Sequence, residues 1–371
     1  MAFVEKVTRR LTYRPGSRKL IDQVLFVSFN GKQVSDSPLD ICRELQRSRP
    51  DLKLIWGVTS TELAVPEGTK AVVIGSPEWF SALARSRYLV SNNNLPQYFR
   101  KRAGQLYLQT WHGTPLKRIG FDIKQNNMSA GYNAAMKREG RYWDYLVSPN
   151  EFSSAILPKA FGFGGRLLEV GYPRNDRLVT AKAKERNEIR ASLGLSKTDQ
   201  VVLYAPTWRD YAKDPQGRWS AVNNLEHAKL PSGFKLLYRG HSNTSASERA
   251  LAEGTVDVTD YQDVTDLYLI ADVLVTDYSS VMFDFSVTKK PMIFLCPDLN
   301  EYRDLRGFYF DFEAEAPGPI VQTSEQVLAA LNNLPKVKKT FAAKYQKWSR
   351  KFNRLEDGKA SARVVAEVFA V

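Results

Sequence analysis

Val273–Phe285 reads VLVTDYSSVMFDF, and this run decides the fold. Val273 to Val275 are apolar with no polar alternation, the pattern of a strand buried on both faces. Thr276-Asp277 ends the strand, and Tyr278-Ser279-Ser280 opens a helix. Strand, short turn and helix form the repeating unit of a parallel sheet. Moving outward, the same unit recurs at Met292–Cys296, Val256–Thr259, Lys235–Gly240 and Val201–Pro206. The first half follows the same plan, with strands at Val24–Phe29, Leu52–Val58, Ala71–Gly75, Tyr88–Ser91, Leu106–Thr110, Tyr145–Ser148 and Leu167–Gly171. Ser37-Pro38 and Ser76-Pro77 each offer a helix cap followed by proline at the first helical position. A polar helical stretch, AKAKERNEIRASLGLSKTDQ (181–200), separates the halves. The predicted architecture is α/β of the GT-B type, with two Rossmann-like doubly wound domains facing across a cleft. Their bounds are 1–180 and 181–371, with the terminal helices packing back.

Length and charge constrain the class further. A chain of 371 residues and 42.1 kDa exceeds one compact core, so two domains are expected. The two cysteines, Cys42 and Cys296, sit among apolar neighbours and read as reduced thiols of a cytoplasmic protein. No apolar run approaches the ~20 residues that span a bilayer. The N-terminal MAFVEKVTRRLTYRPGSRK lacks the apolar core of a secretory signal. The net charge of +13 is concentrated. Arg100, Lys101, Arg102, Lys117, Arg118, Lys124, Lys137, Arg138 and Arg141 face only Asp122 and Glu139 between Gln97 and Trp143. Lys336, Lys338, Lys339, Lys344, Lys347, Arg350, Lys351 and Arg354 lie in a stretch without an acid. Charge so localised implies a polyanionic partner, or else a solvated face that only aids solubility.

Ligands of open α/β sheets bind beyond the carboxyl ends of strands, and that is where the chemistry-bearing residues fall. In QTWHGTPLKRIG (109–120), His112 follows a strand and precedes Gly113, Thr114 and Pro115, with Lys117 and Arg118 close behind. A neutral imidazole there can accept a proton beside an anion; a histidine that merely finishes a strand is the alternative. In KLLYRGHSN, Arg239 and His241 share a strand end and suit a phosphate or pyrophosphate. The backbone N–H groups and hydroxyls of Thr276–Ser280 form an anion site, or a simple cap made by Asp277 or Ser279. GYPRNDRL and YAPTWRD end further strands and add Arg174-Asn175, Thr207 and Arg209. His227 lies in a polar connector and takes no role.

Several chemistries lack their signatures. The sequence has no Walker A run, no GxGxxG after a strand, no CxxC and no HExxH. GFGGR (162–166) has the wrong spacing for a nucleotide loop. The series Asp257, Asp260, Asp263, Asp266 resembles a metal cluster, but Asp263 reads better as the cap of a helix over Val264–Ala271. Phe341, Tyr345, Trp348 and Phe352 recur on one helical face flanked by lysines. Packing on the core is preferred over an interfacial membrane helix.

Taken in order, SFNGKQVSDSP, QTWHGTPLKRIG, VSPNEFSS, GYPRNDRL, YAPTWRD, YRGHSN, DVTDLYLIADVLVTDYSSVMFDF, PDLNEYRDLRGFYFDFEAEAPGP and FNRLEDGKAS resemble the CDP-glycerol glycerophosphotransferase family of teichoic acid synthesis. The resemblance covers residues 20–362. It implies a GT-B fold, CDP-glycerol as donor, and an undecaprenyl-diphosphate-linked saccharide or polyol-phosphate polymer as acceptor. It further implies peripheral attachment to the anionic cytoplasmic face of the membrane; no nucleic-acid partner, cofactor or metal ligand is expected, and the need for a divalent metal stays open. By the same resemblance His112 and His241 are the catalytic pair. Trp111, Gly113, Thr114, Pro115, Arg174, Asn175, Thr207, Arg209, Arg239, Thr276, Asp277, Ser279, Ser280 and Asp284 are the substrate-binding set. Glycerol versus ribitol, and priming versus polymerisation, stay open at this level. A GT-B glycosyltransferase using a nucleotide sugar is the competing function.

Overall fold

The computed structural model describes residues 19–123, 130–207, 209, 225, 229–240, 251–252 and 254–370. They divide into two compact units. The first comprises the chain up to His112, Ile119–Arg177 and Leu355–Val371; the second comprises Gly113–Arg118 and Leu178–Arg354.

The first unit is built on β1 (Ile21–Val27), β2 (Lys53–Val58), β3 (Lys70–Val73), β4 (Ser86–Ser91), β5 (Leu106–Gln109), β6 (Tyr145–Ser148) and β7 (Arg166–Glu169). Their order across the sheet is β3-β2-β1-β4-β5-β6-β7, and every pairing is parallel. Successive side chains go to opposite faces. Val24, Phe26, Tyr88 and Val90 enter one core with Ile41, Leu45 and Trp56. Leu25, Val27 and Leu89 enter the other with Trp79, Leu83 and Phe161. A sheet covered on both faces explains why its strands read as continuous apolar runs. The second unit repeats the pattern with β8 (Gln200–Ala205), β9 (Phe234–Tyr238), β10 (Val256–Asp257), β11 (Val273–Thr276), β12 (Met292–Leu295) and β13 (Ile320–Val321), ordered β10-β9-β8-β11-β12-β13 and again parallel. These two doubly wound sheets are the GT-B-type α/β fold expected from sequence.

Strand ends differ from the sequence reading by a few residues, and the two-residue β13 has no counterpart in it. The division of the chain is also less simple than 1–180 and 181–371. Leu116 accepts from Tyr309 N–H at 2.9 Å and Arg118 N–H donates to Gly307 at 3.0 Å, so the segment after His112 pairs within the second unit. The last helix, Ala360–Val368, buries Val364, Val365 and Val368 in the core of the first unit. Asp176 receives the N–H groups of Ala360 and Ser361 at 2.9 and 2.8 Å, closing the start of that helix.

In the second unit, the basic helix Leu334–Phe352 turns its aromatics inward. Trp348 stacks on Phe283 with centroids 4.9 Å apart, and its indole N–H reaches Ser286 Oγ at 3.1 Å. Phe352 meets Phe283 edge-on at 4.8 Å. Trp348→Ala is therefore expected to cost about 3–5 kcal/mol, read as a fall in the urea midpoint. A loss below about 1 kcal/mol would mean that the stripe is not core.

Candidate active site

In each unit the strand order reverses once, between β1 and β4 and between β8 and β11. Loops leaving the carboxyl ends of the two strands at such a reversal diverge and leave room for a ligand. The candidate residues gather at these two places.

In the first unit, His112 stands just beyond β5, beside the loop that leaves β4. Its Nδ1 lies 2.6 Å from the Asn92 carbonyl oxygen. A carbonyl can only accept, so Nδ1 carries the proton and Nε2 keeps its lone pair. Trp111 has a left-handed backbone (φ 55°), held by its N–H to the Gln109 side chain at 2.8 Å. Its indole stacks on the imidazole at 4.1 Å and rests against Phe161 at 4.4 Å. Arg174 and Asn175 arrive from the turn Pro173–Asn175 after β7, both buried. Arg174 donates to Asp36 Oδ2 at 2.7 Å and lies 4.6 Å over the Tyr172 ring. Burial pulls the His112 pKa below its usual value. The Asn92 carbonyl and the Asp36 charge oppose that shift, and Arg174 adds to it. The imidazole is thus neutral at neutral pH.

In the second unit, the centre of the arrangement is Arg209, which is 1% exposed. Its Nε and one terminal nitrogen grip Asp298 at 2.7 and 3.0 Å; the other reaches Asp277 at 2.9 Å and the Thr207 carbonyl at 2.7 Å. Tyr278 and Tyr302 stack on each other at 4.1 Å, and the guanidinium lies 5.0 and 4.8 Å from their rings. Burial alone would lower the Arg209 pKa, but Asp277 and Asp298 more than offset it, so the charge is locked in. Asp277 also accepts the N–H groups of Thr207 at 2.9 Å and Tyr278 at 2.6 Å. The Thr276 hydroxyl ties β11 to β8 through the Ala205 carbonyl at 2.7 Å. Ser279 and Ser280 are the partly exposed members of the loop, ahead of the short helix Val281–Phe285 that contains buried Asp284. Gly113, Thr114 and Pro115 are buried in this unit.

Arg239 is half-buried and one terminal nitrogen donates to the carbonyls of Val258 and Tyr261 at 3.0 and 2.9 Å, so it fastens the end of β9 to the loop after β10. Burial lowers its pKa. His241, like His227 and Trp208, lies outside the described residues. Asp263 caps its helix through Thr265 N–H at 3.0 Å, as read from the sequence. Asp257 is taken up by Thr259 N–H and Asp266 by the Tyr261 hydroxyl. Asp36, Asn92 and Asp298 were not picked out in the sequence. Asp36 meets Arg174 and Asp298 meets Arg209 only through the tertiary fold, and no local pattern announces either pair.

The family model for CDP-glycerol:poly(glycerophosphate) glycerophosphotransferase matches residues 12–370. The chain belongs to that family. It is 39% identical over 364 residues to the teichoic acid glycerol-phosphate transferase of Staphylococcus aureus (strain NCTC 8325 / PS 47), covering 93% of this chain and 92% of that protein. It is 38% identical over 361 residues to the teichoic acid poly(glycerol phosphate) polymerase of Bacillus subtilis (strain 168), covering 93% of this chain but 48% of the polymerase, about half its length. A variant of the wall teichoic acid polymerase TagF superposes with a TM-score of 0.85 at 34% identity, over 99% of this chain and 91% of that one. The resemblance read from the ordered motifs is therefore borne out.

Arg209→Leu leaves buried Asp277 and partly exposed Asp298 without their cation. A loss of about 3–5 kcal/mol in guanidinium unfolding is expected. A loss below about 1 kcal/mol would show that the clamp carries no weight.

Proposed function

We propose that the chain transfers glycerol phosphate from CDP-glycerol to a hydroxyl of a lipid-linked saccharide or a growing polyol-phosphate chain, releasing CMP. The observation that carries this reading is His112: a neutral imidazole with Nδ1–H spent on a carbonyl, beside the ligand position of a doubly wound sheet. The acceptor oxygen attacks the phosphorus that bears glycerol while the bond from that phosphorus to the CMP oxygen breaks. The acceptor proton passes to His112 Nε2. CMP departs as a phosphate, so its leaving oxygen needs little protonation. Phosphoryl transfer depends mainly on alignment and on stabilising charge.

In this reading the first unit takes the acceptor and the second takes the donor. Ser279, Ser280 and the N–H groups around them receive the diphosphate. Arg209 acts one step back: with its donors committed to Asp277, Asp298 and Thr207, it shapes the loop instead of meeting the phosphate. Arg239 likewise fixes the strand end that leads to His241, the second catalytic histidine. Trp111 stacks on the base and helps to hold its ring. Glycerol is favoured over ribitol because the transferase and the polymerase above are both named for glycerol phosphate.

Attachment to the cytoplasmic face of the membrane fits an acceptor on a lipid. No helix among the described residues is long and apolar enough to cross a bilayer. Lys336, Lys338, Lys339, Lys347 and Arg350 are exposed on a helix that buries Trp348 and Phe352 in its own unit, so the contact is electrostatic. Binding to anionic vesicles should fall steeply with added salt; binding that is unchanged across a wide salt range would remove this part of the reading.

CMP release from CDP-glycerol and CDP-ribitol, with and without a lipid-linked disaccharide, tests the reaction. Release from CDP-glycerol that depends on acceptor and drops ~10²–10⁴-fold in His112→Ala is expected. A glycosidic product from a nucleotide sugar, without CMP release, would favour the glycosyltransferase. Because the His112 pKa is lowered, the base form persists to more acid pH. The acid limb of kcat/KM should therefore lie below about 6.5. A limb above that value would contradict the assignment.

A further inference from the structure

The base rests on a carbonyl, and the position of that carbonyl has its own explanation. Asn92 follows β4, and its side chain is fully buried. Its Oδ1 accepts the Phe29 N–H at 2.8 Å and its Nδ2 donates to Ser28 Oγ at 3.2 Å. Ser28 Oγ passes its own proton to the Ser35 carbonyl at 2.9 Å, next to Asp36. The carboxamide thus bolts the chain leaving β1 to the chain leaving β4, across the reversal of strand order. Phe29 (φ 44°) and Asn30 (φ 58°) hold left-handed backbone there, and the Phe29 ring lies 5.9 Å from the imidazole. Such conformations are unfavourable and persist only where surroundings over-determine them. On the other side, Thr110 N–H donates to Ser91 at 2.9 Å and Gln109 Nε2 to the Asn93 carbonyl at 3.2 Å. These bonds fix the height of the loop after β5 against the loop after β4.

We propose that Asn92 is the positioning residue of the base: its carboxamide holds the β4 loop so that its own carbonyl takes the Nδ1 proton of His112 and presents Nε2 to the acceptor hydroxyl. This rests on His112 being the base. Only an amide serves all the bonds at once. Alanine leaves Phe29 N–H and Ser28 Oγ without their partner. Aspartate keeps the acceptor for Phe29 but cannot donate to Ser28.

The test is the imidazole tautomer, read by long-range ¹⁵N–¹H correlation in histidine-labelled protein and assigned with His112→Gln. The wild type should show His112 protonated at Nδ1. Asn92→Ala should mix the tautomers and lower kcat by ~10²-fold, the scale of a misplaced catalytic group, with KM for CDP-glycerol unchanged. Its acid limb should move further down in pH, because the carbonyl that favours the imidazolium is no longer held. Asn92→Asp keeps the Phe29 bond and loses the Ser28 bond, so it should mix the tautomers less than Asn92→Ala and about as much as Ser28→Ala. Ser28→Ala removes one bond of the same clamp and carries the test if Asn92→Ala does not fold; mixed tautomers and a several-fold fall in kcat are expected. An unchanged tautomer in the folded variants, or a mixed tautomer with wild-type kcat, overturns the proposal. Full turnover by His112→Ala would instead overturn the functional reading, whatever the tautomer shows.

Discussion

The arrangement depends on one topological constraint, the single reversal of strand order in each parallel sheet. Parallel strands all present their carboxyl ends on the same edge, and their loops pack over one another except where the order turns back. In the first unit that place is bounded by the loops after β1 and β4, with β5 next to them. In the second it is bounded by the loops after β8 and β11. Thr207 and Arg209 leave one of those strands, and Asp277 to Ser280 leave the other. The chain need not encode a pocket by any sequence signal of its own. It need only place polar residues just after the right apolar runs.

Each reversal point then holds a buried ion pair. Asp36 with Arg174, and Arg209 with Asp277 and Asp298, are nearly without solvent except at Asp298, which is 21% exposed. Desolvation makes such groups poor sources of net stability. Their value lies in fixing geometry. Arg209 in three directions sets Thr207, the start of the 277–280 loop and the segment carrying Asp298. Asp36 and Arg174 also push the His112 pKa in opposite senses. The pair can therefore sit near the imidazole and perturb it less than either charge would alone.

The sheets were legible because burial on both faces leaves a local trace, a short apolar run closed by turn residues. Tyr145–Ser148 was read at its true bounds. Ser76-Pro77 likewise behaves as its local chemistry dictates, the serine accepting Trp79 N–H at 3.1 Å. Ser37-Pro38 looks the same in sequence, yet there the neighbouring Asp36 carboxylate takes Ser37 N–H while its backbone turns left-handed at φ 63°. The difference comes from Arg174, 138 positions away, which claims the other carboxylate oxygen. Histidines and arginines at strand ends could be nominated from residue type and place. Whether an arginine faces a ligand or braces a loop depends on acceptors contributed by distant segments. For that reason the roles of Arg209 and Arg239 became visible only in three dimensions.

Strain marks the same ground. Among the described residues, the non-glycine positions with positive φ are Phe29, Asn30, Asp36, Trp111 and Lys289. All but Lys289 lie in the loops after β1 and β5 or at the helix start that Arg174 reaches. A phenylalanine and a tryptophan gain nothing from left-handed backbone, since neither has the short polar side chain that eases it. Their rings explain the placement: Trp111 stacks on the imidazole and Phe29 lies beside it. The backbone is bent so that two large side chains confine one histidine, whose remaining freedom is removed by a carbonyl. If His112 is the base, as proposed, an imidazole held in this way needs no reorganisation when the proton moves.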